Sequence, residues 1–209
     1  MTRPALTDAA ASLMERDAVL AALIDRHGAP PRRRPVRSTQ RFGALAETIV
    51  YQQLAGKAAA SIHGRFVDAL GGTVTPGSVL ALSPEQLASC GLSAAKAASI
   101  RDLAERVVDG RILLDRIGRL SDAEVVDHLT QVRGIGPWTA DMFLIGALGR
   151  LDVWPVGDYG VRAGFARAWG LGEIPSPKEL MERGEPFRPY RTVVAWYCWR
   201  VVDDPSATV

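Results

Sequence analysis

The chain has 209 residues, 47% hydrophobic and 23% charged, with a formal net charge of +2, which excludes a disordered or collagen-like protein and indicates no particular class of partner. Its two cysteines are too few for a disulfide framework or an all-cysteine metal site and are typical of a reducing compartment. The apolar runs are shorter than the ~20 residues of a membrane helix, so we expect a soluble cytoplasmic protein with no membrane partner.

The N-terminal part is predicted to form one helix followed by a tether. Apolar side chains recur on one stripe over residues 6–26, and Gly28 follows, as is typical of a helix and its C-terminal stop. Residues 29–37 combine prolines with arginines and cannot be helical, because proline restricts both itself and the residue before it. We therefore assign residues 1–40 to an N-terminal helix and tether.

The rest of the chain shows a repeated rhythm of helix and turn. Helices are predicted over residues 42–51, 57–70, from 84, 93–109, 122–133, 137–148, and after residues 158 and 188. Ser121 and Glu124 form a capping box at the start of one of them. No alternating run predicts a strand, so the fold class is all-α. We divide this part into a helical subdomain over residues 41–152 and C-terminal helices over residues 153–209 that pack with the N-terminal helix.

The segment over residues 129–140 is the most informative one. Gly134 and Gly136 lie two apart between a capped helix and a helix that begins at Pro137, which predicts a tight hairpin within about residues 121–149. The start of the second helix offers unpaired N–H groups and the positive end of the helix dipole, and both favour an anion such as a phosphate. A turn that merely joins two helices accounts for the same spacing.

Four segments together resemble the helix-hairpin-helix DNA glycosylase superfamily, and within it the 3-methyladenine DNA glycosylase II (AlkA-like) group. They are VRGIGPWTA at 132–140, VGDYGVR at 156–162, YQQLAGK at 51–57 and CGLSAAK at 90–96. The resemblance covers roughly residues 10–200. The β-rich N-terminal extension of longer members has no counterpart here, so the chain is similar to a compact form of the family.

This resemblance implies two helical subdomains that flank a DNA-binding cleft, the HhH-GPD fold. It also implies a monofunctional glycosylase of base excision repair that excises alkylated purines of the 3-methyladenine and 7-methylguanine type by base flipping. The expected partner is double-stranded DNA containing damaged bases. A monomer, associated with the nucleoid and requiring no cofactor, is expected.

Asp158 matches the catalytic aspartate of the family. A carboxylate beside the sugar stabilises the positive charge that builds up when the glycosidic bond breaks, and it can orient the attacking water. An aspartate just before a helix is also an ordinary N-cap, and that interpretation stays open at this point.

The resemblance also implies an aromatic pocket for the extracted base. Trp138, Tyr159 and Tyr190 match or neighbour its positions, and Trp154 and Phe187 are further candidates. Met142 occupies a pocket position where members can carry an aromatic residue, which leaves the base preference open. Packing in a core explains any one of these aromatic residues equally well.

The break between the second and third predicted helices matches the wedge of the family. Leu54 would fill the gap that the flipped base leaves in the duplex, with Gln53 beside it. A core leucine between two helices is the alternative.

The hairpin is expected to hold the DNA backbone. By the resemblance, the residues that bind phosphate are Gly134, Gly136, Thr139 and Lys96. Main-chain carbonyls can also hold a monovalent cation, sodium or potassium, that bridges to a phosphate, and the matching positions are Thr130, Val132 and Ile135.

Two chemistries found in relatives are not expected here. Members that also cut the strand carry a nucleophilic lysine where this chain has Trp138, and an indole cannot form a Schiff base. Cys198 is the single cysteine of the C-terminal half, so a four-cysteine iron–sulfur cluster cannot form there.

Two other functions remain compatible with the sequence. One is a glycosylase for another lesion, such as deaminated purines or mismatched adenine. The other is a helix-hairpin-helix protein that binds DNA without catalysis, although it gives no reason for Asp158, Trp138 and Leu54 to match together.

Overall fold

The computed structural model describes residues 6–31, 34–54 and 56–204. In these ranges the α-helices are α1 (Leu6–Arg16), α2 (Ala18–His27), α3 (Arg41–Tyr51), α4 (Gly56–Ala69), α5 (Pro76–Ala81), α6 (Pro84–Ser89), α7 (Ala94–Val108), α8 (Asp122–Leu129), α9 (Pro137–Gly146), α10 (Tyr159–Ala168), α11 (Pro177–Gly184) and α12 (Arg191–Asp203). The same ranges contain no strand, and the all-α prediction is confirmed. Arg32 and Arg33 of the predicted tether lie outside the described residues.

Side-chain caps explain where many of these helices begin. The predicted capping box of Ser121 and Glu124 is present, and both reciprocal hydrogen bonds form. Further boxes join Thr75 with Ser78, Ser83 with Gln86 and Ser176 with Glu179. The short helices α5 and α11, which the apolar periodicity does not predict, begin at such boxes with proline in the first turn.

The predicted single N-terminal helix is wrong, because the chain forms two helices that meet at Asp17. Asp17 has extended dihedrals (φ −151°, ψ 121°), and its carboxylate accepts the N–H of Leu20. Its second oxygen accepts the indole N–H of Trp169 at 3.0 Å. Capping α2 therefore satisfies this side chain better than continuing α1 would.

Helix α8 also ends earlier than predicted, at Leu129 instead of near residue 133. The residues after it form the hairpin turn, where Gly134 takes a positive φ of 73° that a right-handed helix cannot contain.

The chain forms two compact units, residues 1–34 with 149–209 and residues 35–148. In the described part of the first, α10 packs on α12 so closely that a methyl group at Gly164 would overlap the backbone of Cys198. Helices α1 and α2 pack on α12, and the core includes Leu20, Phe165 and Tyr197.

In the second unit α3 packs against α4, α7 and α9, and α8 packs against α9. Buried apolar side chains such as Ile49, Leu103 and Phe143 fill its core. This packing fixes the turn between α3 and α4 and the hairpin between α8 and α9. No helix in the described ranges has the length and apolar character that crossing a bilayer requires.

Candidate functional site

The hairpin turn, residues 130–136, is shaped by its glycines and by buried anchors. Gly134 lies in the left-handed region, and a methyl group there would collide with the hydroxyl of Ser99 on α7. The side chains of Val132 and Ile135 are buried, and the carbonyl of Val132 accepts the N–H of Ile135 at 3.1 Å. The turn is therefore held in one conformation by its own hydrogen bond and buried side chains and by its contact with α7.

The start of α9 has the features of an anion site. Its N-cap is Gly136, which supplies no side-chain cap, and Pro137 occupies the first helical position. A methyl group at Gly136 would meet no protein atom within 4 Å, so the surface there is open among the described residues. Unpaired N–H groups at an open helix start attract negative charge.

Thr139, expected to bind phosphate, has a buried side chain whose hydroxyl accepts the amide N–H of Gln52 at 2.8 Å. The open surface lies at Gly136, so main-chain groups are what this helix start offers to a phosphate.

The main-chain carbonyls expected to hold a cation all belong to the hairpin turn. Thr130 is the C-cap of α8, while Val132 and Ile135 follow within the same turn. No cluster of three or more histidine, cysteine, aspartate or glutamate side chains suited to a metal exists in the described ranges. Main-chain oxygens are suitable ligands for a hard monovalent ion, and a cation held by these carbonyls stays a prediction.

The wedge turn, residues 52–54, projects a leucine outward. Gln53 has a positive φ of 55°, which is uncommon for a residue with a side chain, and Leu54 is 39% exposed. The alternative that Leu54 is a core residue is therefore wrong. An exposed leucine on a strained turn is suited to contacting something outside the unit.

Helix α7 supports both turns through three residues spaced by three. The ammonium of Lys96 donates to the carbonyls of Val50 (2.7 Å) and Gln52 (2.8 Å) at the end of α3. Burial lowers the pKa of Lys96. The structure thus gives Lys96 a role inside the protein, holding the wedge turn, that differs from the phosphate contact expected of it.

The next two residues of this α7 face contact the hairpin turn. Ser99 lies against Gly134, and the carboxylate of Asp102 accepts the N–H of Arg133 at 2.8 Å. Burial works to raise the pKa of Asp102, but hydrogen bonds from Arg133 and Arg106 outweigh it and hold the pKa below its usual value. The sequence does not single out Ser99 and Asp102 as supports of the hairpin turn. Only their spacing of three residues from Lys96 and from each other indicates that all three share one face of α7.

Trp138 and Met142 lie one turn apart on α9, and both are partly buried. Their i, i+4 spacing places them on one face of the helix. Asp141, between them in sequence, is a partly buried carboxyl whose pKa is raised to about 7 by burial and by the charge of Asp122.

In the other unit, Asp158 is the N-cap of α10. One of its oxygens, Oδ1, accepts the N–H of Val161 at 2.8 Å and the indole N–H of Trp199 at 3.0 Å. The N-cap interpretation is therefore correct, and it does not compete with a chemical role, because capping fixes where the carboxylate lies.

The surroundings of Asp158 keep other groups unreactive. Cys198, on α12, is fully buried, and burial with the nearby negative charge of Asp158 raises the pKa of its thiol. A protonated, buried thiol is a poor nucleophile. This thiol therefore does not compete with the carboxylate of Asp158 as a reactive group.

The aromatic candidates of this unit divide into surface and core. Tyr159 is 66% exposed, with the Arg162 guanidinium 5.9 Å from its ring centre, and Tyr190 is partly buried at the start of α12. Trp154 and Phe187 are each 5% exposed in the core, where the indole N–H of Trp154 donates to the carbonyl of Leu180. Packing therefore accounts for Trp154 and Phe187.

The chain is similar in sequence to known DNA repair proteins. The family model of the HhH-GPD superfamily base excision DNA repair proteins matches residues 46–189. The chain is 36% identical over 173 residues to DNA-3-methyladenine glycosylase 1 of Schizosaccharomyces pombe, with 80% of this chain and 76% of the relative covered. It is 35% identical over 175 residues to the DNA-3-methyladenine glycosylase of Saccharomyces cerevisiae, covering 78% and 58%.

Solved structures give the same result. The 3-methyladenine DNA glycosylase of S. pombe in complex with abasic DNA superimposes with a TM-score of 0.88 and 32% identity, covering 97% of this chain and 100% of that one. The DNA-3-methyladenine glycosidase of Bacillus halodurans gives a TM-score of 0.77 and 33% identity, covering 95% and 89%.

Proposed function

The chain belongs to the HhH-GPD superfamily of base excision DNA repair proteins, and on that premise we propose that it is a glycosylase that removes alkylated purines from duplex DNA. The observation that carries the proposal is Asp158, a carboxylate fixed by two N–H donors at a helix start. The chain is also similar to enzymes named for 3-methyladenine, which supports that substrate class.

The reaction needs one anion and one water. The bond between C1′ and the purine nitrogen breaks, its electron pair leaves with the base, and positive charge builds up on the sugar. Asp158 stabilises that charge, and the water oxygen then bonds to C1′ while its proton passes to the carboxylate. A purine methylated at N3 or N7 is cationic before cleavage, so it departs neutral without a proton donor.

Base recognition is assigned to the exposed and partly buried aromatic side chains. Trp138, Tyr159 and Tyr190 offer electron-rich rings that attract a cationic purine by stacking and cation–π contact. Met142 is polarizable and adapts its shape, so it tolerates more than one purine beside Trp138.

DNA binding is assigned to the two turns of residues 35–148. The main-chain N–H groups in the first turn of α9 bind a phosphate, and Leu54 with Gln53 enters the duplex where the base has left. The carbonyls of Thr130, Val132 and Ile135 would hold a sodium or potassium ion. The protein acts on damaged double-stranded DNA as a monomer.

The chemistry stops at base release. Trp138 stands where strand-cutting relatives carry a lysine, so no amine at that position forms a Schiff base with the sugar. Borohydride added during turnover is expected to trap no covalent protein–DNA adduct. A trapped adduct would contradict the monofunctional assignment.

The decisive experiment compares wild type with Asp158→Asn on a panel of duplexes that each carry one defined lesion, measuring free base. Asparagine retains the capping oxygen but not the charge, so base release should fall on the order of 10²–10³-fold, while abasic-duplex affinity and melting temperature stay close to wild type. Asp25→Asn, at an exposed position of α2, is the matched control.

The same panel separates the competing functions. Release of deaminated but not alkylated purines would identify a glycosylase for deaminated purines and contradict the proposed substrate class. Binding of abasic duplex with no base released from any lesion would identify a DNA-binding protein without catalysis.

A further inference from the structure

The wedge turn and the hairpin turn are joined directly by one side chain, that of Gln52. Its amide nitrogen donates to the carbonyl of Gly134 at 3.1 Å and to the hydroxyl of Thr139 at 2.8 Å. A carbonyl can only accept a hydrogen bond, so this contact requires the N–H₂ end of the amide to face the hairpin. The amide nitrogen of Gln52 thus donates both to the hairpin turn and to the first turn of α9, which follows it.

The backbone of Gln52 is fixed as well. Its N–H donates to the carbonyl of Ile49, and its own carbonyl accepts the ammonium of Lys96 at 2.8 Å. Gln52 therefore holds the end of α3 with its main chain and the hairpin with its side chain. Gln53 and Leu54 follow without a break, so their position depends on the same residue.

We propose that Gln52 is a positioning residue that makes the wedge turn and the hairpin turn one mechanical element, so that Leu54 enters the duplex in the same step in which the hairpin binds its phosphate. The inference rests on the proposed function and deepens it. It assigns to Gln52 the discrimination between damaged and undamaged DNA, and it assigns neither contact with the base nor chemistry to this residue.

The physical reason for such a link lies in what each turn can recognise alone. Phosphates occur at every nucleotide, so main-chain amides that bind them cannot distinguish one site from another. A leucine that enters an intact duplex must unstack a base step at a cost of about a few kcal/mol, and this cost is smaller where a base is already missing. When the hairpin turn and the wedge turn are rigidly joined, the phosphate contact forms fully only where Leu54 can enter the duplex. The phosphate contact, which has no sequence specificity of its own, then becomes selective for a disrupted site.

The test replaces Gln52 by methionine, which has similar length but no donors. The measurement is the affinity for a duplex with an abasic site and for the same duplex undamaged, at one salt concentration. The preference for the abasic duplex should fall about tenfold, because the uncoupled hairpin turn binds the undamaged duplex more tightly and the unsupported wedge turn binds the abasic duplex less tightly. Gln40→Met, at an exposed glutamine before α3 that makes no side-chain cap, is the matched control.

A spectroscopic readout separates positioning from a loss of stability. A 2-aminopurine beside the abasic site brightens when the wedge unstacks it, and Gln52→Met should bind that duplex at saturating protein with a weaker rise in fluorescence. Thr139→Val removes one acceptor from the opposite side and keeps the shape, so it should reproduce the effect in part even if Gln52→Met folds poorly.

A double-mutant cycle measures the coupling itself. Leu54→Ala should lower the abasic preference in the wild-type background and lower it much less in the Gln52→Met background, because the link is already cut. Full, additive losses in both backgrounds would overturn the proposal, as would a Gln52→Met protein with wild-type preference and fluorescence.

Failure of the proposed function gives a different pattern. A wild-type protein that releases no base from any lesion and shows no preference for the abasic duplex overturns both proposals. An active, selective wild type with an equally selective Gln52→Met variant overturns the inference alone.

Discussion

The turns of residues 35–148 and the corner around Asp158 achieve fixed geometry by opposite means. The hairpin and wedge turns are open on one side: Leu54 is exposed, and Gly136 faces no protein atom within 4 Å of an added methyl group. Asp158 instead caps a helix, α10, whose Gly164 lies against the backbone of α12. The comparison indicates that the two turns proposed to bind DNA are kept accessible, while the carboxylate of Asp158 is placed by helices that pack closely.

The largest effect that tests this contrast comes from adding one methyl group in each region. Gly164→Ala forces Cβ into the Cys198 backbone, which cannot move aside as a side chain can, and should cost about 3 kcal/mol of unfolding free energy or more. The melting temperature should fall by about 10 °C or more.

Gly136→Ala is the matched change in the open region. It should leave the melting temperature almost unchanged and weaken binding to any duplex, because the methyl group occupies the space that a phosphate approaches. Equal losses of stability in the two variants would contradict the contrast between packed and open regions.

A smaller effect tests how Asp158 is held. Trp199→Phe keeps an aromatic ring on α12 beside Gly160 of α10 but removes the N–H that Asp158 accepts, so base release should slow about tenfold as the carboxylate loses orientation. Abasic-duplex affinity should stay unchanged.

Trp196→Phe, a partly buried tryptophan on the same helix, serves as the control for Trp199→Phe and should leave base release close to wild type. Equal rates in the two variants would show that the capping bond from Val161 alone fixes the carboxylate.

The smallest effect concerns stability against pH in the second unit. The pKa of Asp141 is raised from 3.8 to about 7, so between these pH values the folded chain keeps a proton that the unfolded chain releases, and stability falls as pH rises through that range. Asp141→Asn should flatten this slope and raise unfolding free energy at pH 8 by about 1 kcal/mol, a discounted figure because the side chain is partly exposed.

Melting curves from pH 4 to pH 8 measure this effect. Asp68→Asn, at an exposed position of α4, should keep the wild-type slope. An Asp141→Asn protein with the same slope as wild type would mean that this carboxyl titrates elsewhere.

The sequence predicts the features whose cause is local. The capping box at Ser121, the start of α9 at Pro137 and the hairpin glycines follow from neighbouring residues, and all are found. The bond from Gln52 to Gly134 spans 82 positions and that from Lys96 to Val50 spans 46, and no short-range pattern encodes which distant carbonyl a side chain meets. The break between α1 and α2 also has a local cause, because Asp17 is a residue type that favours the N-cap position. The apolar stripe continues across Asp17, however, and therefore predicts a single helix.

Because Asp158 starts α10 with an oxygen that asparagine also has, its capping bond and the charge that we propose for catalysis can be separated by exchanging one oxygen for nitrogen. A chain with asparagine there would retain its shape and its hold on DNA yet release damaged bases on the order of 10²–10³-fold more slowly. Such a chain would still occupy damaged sites and shield them from active enzymes.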